Sequence, residues 1–130
     1  MTLVHHELCF GCGRTNLFGL LLDAERTGPQ SVAGRCFIKQ DHQGSQRGLA
    51  HEGILATALI EAMAFACGEP VRLDELELKI AATAPVGSFL AVEARLDHRE
   101  GQELRATARG KANADYVCSA SGSFTAWLST

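Results

Sequence analysis

Residues 54–67 constrain this chain more than any other stretch. Leu55, Ala58, Leu59, Ala62, Met63 and Ala66 recur at the 3.6-residue period of one helix face. The opposite positions, Ala56, Thr57, Ile60, Ala64 and Cys67, are also mostly apolar, and Glu61 is the one charge. A helix that is hydrophobic nearly all round must be covered on most sides. Gly68 is placed to end it in a left-handed cap, and Pro70 prevents its resumption.

The flanking segments change period. Leu76, Leu78 and Ile80 alternate with Glu75, Glu77 and Lys79, and Leu90, Val92, Ala94 and Leu96 alternate with Ala91, Glu93, Arg95 and Asp97. Such alternation predicts strands with one face on a core. Turns are expected at Pro85-Val86-Gly87-Ser88, at Glu100-Gly101-Gln102 and around Asn113-Ala114-Asp115. Strands are therefore expected over 74–81, 90–97, 104–112 and 116–128. Before the helix, residues 1–17 read as an irregular lead-in. Strands follow at 18–26 and 31–39, joined by a turn at Gly28-Pro29, and 41–49 reads as a loop. The fold class is α+β: one domain over 1–130, with a long central helix wrapped by a curved antiparallel sheet of about five to six strands. The edges of such a sheet need managing, and pairing with a second copy is one solution.

Length and composition agree. A chain of 130 residues holds one core, and 46% hydrophobic with 21% charged residues is globular. The net charge of −3 and the lack of any Lys/Arg run give no footprint for nucleic acid or an anionic membrane. The start, Met1 to Leu8, lacks the pattern of a signal peptide, and Ile54 to Cys67 is too short to span a bilayer. A cytoplasmic location is expected. The five cysteines are odd in number and irregularly spaced, as reduced thiols are.

Three blocks of sequence stand in order along the chain. The first is Cys9-Phe10-Gly11-Cys12-Gly13-Arg14-Thr15-Asn16-Leu17-Phe18-Gly19-Leu20. The second is Gln43-Gly44 followed by His51-Glu52-Gly53-Ile54-Leu55-Ala56-Thr57-Ala58-Leu59-Ile60-Glu61-Ala62-Met63. The third is Pro85-Val86-Gly87 before Val92-Glu93-Ala94-Arg95. Together these blocks resemble hotdog-fold thioesterases of the phenylacetate-pathway and 4-hydroxybenzoyl-CoA type. The resemblance implies a hotdog fold and hydrolysis of an acyl thioester, with no cofactor. The ligand is then an acyl-CoA or acyl-carrier thioester, and the assembly a homodimer or a dimer of dimers.

On that resemblance, the backbone N–H of Gly53 is the oxyanion donor, helped by the positive end of the helix. His51 orients the thioester. Gln43, Gly44, Glu52, Thr57 and Ile60 line the substrate site. The family's acid stands nine residues after the His, which is Ile60 here, and isoleucine can neither take a proton nor attack a carbonyl. Glu61 is next along and is the carboxylate assigned to activate water, although one residue turns a helical side chain by about 100°. Glu52 replaces the first Gly of the family's H-G-G, and Ala82 and Thr83 stand where the family often has Arg-Pro.

Two readings follow. The leading one is an acyl-CoA thioesterase for a small or aromatic acyl group. The alternative is a non-catalytic hotdog protein that binds an acyl-CoA or related ligand. A dehydratase would want a His/acid pair placed differently. Arg47, Arg72 and Lys79 are candidates for CoA phosphates, although scattered cations usually form a solvated face. His5, His6, Cys9 and Cys12 have one chelating C-x-x-C but no second, so no metal is assigned, and the cysteines are read as buried or turn-forming.

Overall fold

A computed structural model describes residues 2–127. The elements run β1 (Asp23–Gly28), β2 (Ser31–Phe37), a single 3-10 turn (Gln40–His42), α1 (Glu52–Ala66), β3 (Val71–Ile80), β4 (Phe89–Glu100), β5 (Glu103–Ala112) and β6 (Asp115–Ala126). The strands form one antiparallel six-stranded sheet in the order β1-β2-β4-β5-β6-β3. α1 lies across its inner face, mainly against β4 and β5.

The expected helix face is buried: Leu55, Ala58, Leu59, Ala62 and Met63 are fully enclosed. They meet an inner sheet face rich in small residues. Leu90, Val92, Ala94, Ala106, Ala108 and Ala120 are buried with them. Small residues on both surfaces let helix and sheet approach closely, so dispersion contacts and area burial act together. On the opposite side of α1, Ala56, Ile60 and Ala64 are only half-buried. Gly68 takes φ +80° and donates to the Phe65 carbonyl at 3.0 Å, the expected left-handed stop.

The hairpins form where the turn residues predict them. Asn113 and Ala114 both adopt positive φ, as a two-residue primed turn between right-twisted strands requires. The first strand departs from expectation. It starts at Asp23, and 18–22 belong to the irregular lead-in instead. Leu20 and Leu22 are buried as their apolar pattern suggests, but their N–H groups donate to the lead-in carbonyls of Phe10 and Gly11, both at 2.8 Å. Leu21 between them turns left-handed at φ +52°, which breaks any ladder. The last strand ends at Ala126, and Leu128, included in the expected span, lies outside the described residues. No helix among the described residues is long and apolar enough to cross a membrane.

Candidate functional site

The start of α1 is built on a short loop held from several sides. The His51 N–H donates to the His42 carbonyl, and the Ala50 N–H to that of Ala84, each at 2.8 Å. Thr83 Oγ1 donates to the Ala50 carbonyl at 2.8 Å, so this side chain supports the backbone that leads into the helix. Gln43 spans the loop. Its Nε2 donates to the Gln40 carbonyl at 2.8 Å, and its Oε1 accepts from the Gly48 N–H at 2.6 Å. Gly44 lies so close to His51 that a Cβ there would stand 2.9 Å from the His51 Cα. Gln43 and Gly44, assigned to substrate, therefore shape the loop that carries His51.

His51 is the N-cap of α1, and its Nδ1 accepts from the Gly53 N–H at 2.8 Å. The imidazole thus satisfies one of the donors that a helix start leaves open. His51, Glu52 and Gly53 are all exposed. An exposed N–H on the helix axis, paired only with a rotatable side chain, can exchange that partner for a ligand oxygen. Thr57 donates its Oγ1 to the Gly53 carbonyl at 2.8 Å, the back-bond common for a helical threonine. Ile60 presents a half-buried aliphatic side chain.

Glu61 points elsewhere. It is 9% exposed, and its carboxylate faces the lead-in rather than the helix start. The Cys9 thiol donates to Glu61 Oε2 at 2.9 Å, and His5 Nδ1 stands 3.1 Å from the same oxygen. Burial raises the carboxyl pKa, but the bonds from His5 and then Cys9 outweigh it and leave the group below its ordinary value. Cys12 completes the cluster, its Sγ 3.5 Å from His5 Nδ1. Gly11 lets the loop close over the carboxylate, since a Cβ there would come within 2.5 Å of Glu61 Cδ and Oε2. Glu61 also lies eight residues beyond Gly53, about 12 Å along the helix axis.

The candidate residues thus divide into two groups within one chain. His51, Glu52, Gly53, Gln43, Gly44 and Thr57 gather at the helix start, while Glu61 joins His5, Cys9 and Cys12. Sequence reasoning weighed the His/Cys set without Glu61. The usable signal was a C-x-x-C in a chain whose one charge within residues 54–67, Glu61, has no other obvious partner. A surface depression of about 640 Å³ lies on the outer sheet face among Glu77, Lys79, Glu93, Arg95 and Arg109. None of its lining residues belongs to 38–57, so it is not part of the helix-start site. Lys79 borders that depression, and Arg72 pairs with Asp74 at 2.9 Å.

No family model matches the chain, and no curated protein matches it in sequence. Solved structures do match in shape. A thioesterase superfamily protein superposes with TM-score 0.81 at 19% identity, covering 90% of this chain and 62% of that one. The PaaI protein of the E. coli phenylacetic acid degradation operon gives 0.78 at 15% identity, covering 85% and 83%. A variant of the phenylacetic acid degradation protein PaaI from Thermus thermophilus gives 0.74 at 16% identity, covering 82% and 93%. The chain has the hotdog fold that these structures share.

Proposed function

We propose that this protein binds an acyl thioester, carried on CoA or an acyl carrier, at the N-terminal end of α1, and that Glu61 does not act as a hydrolytic base there. One observation carries the reading: the carboxylate of Glu61 is bonded into the His5–Cys9–Cys12 cluster, while Ile60 occupies the place of the family acid. The Gly53 N–H supports thioester docking because a carbonyl oxygen could replace His51 Nδ1 as its acceptor. The likeness to thioesterase-superfamily folds supports the ligand class. The assembly proposed is a homodimer. The free edge of the ten-residue strand β3 and the half-buried Ala56, Ile60 and Ala64 are surfaces that a second copy can cover.

Hydrolysis is the second reading. It is favoured by the thioesterase neighbour and by Glu52, whose exposed carboxylate is adjacent to Gly53. Ligand-dependent melting and release of free thiol, run on the same acyl-CoA panel, separate the two. Binding predicts a rise in Tm on the order of 5–10 °C at a hundredfold excess over Kd, with no thiol release above the uncatalysed rate. Gly53→Pro removes the N–H within the first helical turn, where proline is tolerated, and should abolish the rise. If no thioester raises Tm, the binding reading is lost. Turnover that survives Glu61→Gln and disappears in Glu52→Gln would establish the hydrolytic one.

A further inference from the structure

We propose that His5 Nδ1, Cys9 Sγ, Cys12 Sγ and Glu61 Oε2 bind one zinc ion, which fastens the N-terminal lead-in to the middle of α1. This is independent of the thioester reading. The four donor atoms lie within 4.8 Å of one another, and this is the one such cluster among the described residues. Around a tetrahedral zinc with ordinary bond lengths, neighbouring donors stand roughly 3.3–3.8 Å apart. Four of the six separations are 3.1 Å for His5–Glu61, 3.5 Å for Cys12–His5, 3.8 Å for Cys9–His5 and 2.9 Å for Cys9–Glu61, and the remaining two lie within 4.8 Å. Small adjustments reach the metal geometry.

The donor set suits zinc on chemical grounds. Two thiolates, an imidazole and a carboxylate are soft, borderline and hard donors, each of which zinc accepts, and four protein donors make a closed, structural site. Binding releases both thiol protons to solvent and uses His5 as the tautomer protonated on Nε2. The surroundings are also built for a metal. The His5 ring stacks on Phe65 with centroids 4.1 Å apart at 10°, which fixes the direction of Nδ1. The His5 N–H donates to Cys12 Sγ at 3.1 Å, an outer bond that stabilises a thiolate. Arg14 holds the carbonyls of Cys12 and Leu22 at 3.1 and 2.5 Å, fixing the loop that carries Cys12. Without a cation, the buried carboxylate has only one imidazole and weak thiol donors to compensate its desolvation. Cys12 is fully buried, and His5 keeps a third of its side chain exposed, which leaves an entry path.

The test uses the full chain, stripped with chelator under reductant and titrated with Co²⁺ and then Zn²⁺. One equivalent of Co²⁺ should develop the visible bands of a tetrahedral site and a sulfur-to-metal charge-transfer band, and Zn²⁺ should bleach both. Cys12→Ser and Glu61→Gln should weaken binding by more than the about 10–100-fold typical of outer-shell changes. Cys118→Ser, distant in the sheet, should bind as the parent does. Because the first titration needs no variant, misfolding of a mutant cannot rescue the idea. Absence of tetrahedral cobalt bands in the parent chain would falsify it, as would a Cys9–Cys12 disulfide that persists in the presence of the reductant. Acyl-CoA melting shifts are read separately, so either proposal can fail alone.

Discussion

At the start of α1, His51, Glu52 and Gly53 are exposed, and one bond from a side chain to the Gly53 N–H closes the helix. About two and a half turns later, Glu61 is buried and bonded to two residues of a segment more than fifty positions away in sequence. Both regions carry polar groups, but the costs differ. The helix-start donor can turn to water if its partner leaves, so its bond is exchangeable. The Glu61 carboxylate has little water to fall back on, so its partners are obligatory. An exchangeable donor is suited to a ligand that comes and goes. An obligatory one is suited to holding a fold together.

That contrast can be broken by substitution. The largest effect is expected at Gly11. An added methyl meets the Glu61 carboxylate at 2.5 Å, so Gly11→Ala should cost about 1–3 kcal/mol in urea unfolding. The double variant Gly11→Ala/Glu61→Ala should lose less than the sum of the singles, because the clashing group is gone. Additivity would mean that the loop does not close over the carboxylate. Glu61→Ala alone leaves Cys9 and His5 with only the longer thiol–imidazole contacts and should cost about 1–3 kcal/mol, toward the lower end because thiols are weak donors. His51→Ala removes an exposed cap and should cost about 1 kcal/mol while leaving the core intact. If His51→Ala proves more damaging than Glu61→Ala, the division between the two regions is wrong.

The smallest expected effect is a pH dependence from His42, in the turn before the helix-start loop. Its Nδ1 accepts from the Lys39 N–H at 3.1 Å, and its Nε2 is buried without a hydrogen-bond partner. Burial first, and then the charge of Lys39, hold its pKa below 6.5. The folded state therefore resists a proton that the unfolded chain accepts. Its contribution is unaffected above pH 6.5 and becomes destabilising as pH falls from there toward the folded pKa. Unfolding of the parent and of His42→Gln at pH 7.5 and 5.5 checks this, and the parent should lose more stability between the two. The buried thiols give a parallel check on the core. Burial pushes Cys36 up to about 12, and Cys67 and Cys118 each up to about 11. Native alkylation should therefore spare all three and mark half-exposed Cys9 first.

Much of the architecture was legible because it rests on local periodicity. The apolar helix with its Gly68 stop, the alternating strands and the Asn113-Ala114 turn each follow from neighbours in sequence. The apolar run at Leu20-Leu21-Leu22 was misleading. Burial alone does not distinguish a strand from a loop pinned to the core, and the left-handed Leu21 is set by distant partners. At the site, the motifs placed His51 and Gly53 together at the helix start, whereas Glu61, which the sequence reading assigned to activate water, turns to His5 and Cys9.

The sequence by itself determined that a mostly apolar helix is joined to alternating strands, and a curved sheet wrapped around the helix covers both the apolar cylinder and the strands' inner faces. Only the tertiary structure decided where the Glu61 carboxylate of that helix goes. Its direction depends on how a glycine-punctuated segment folds back across it, and long-range closure of that kind leaves no period in the sequence to read.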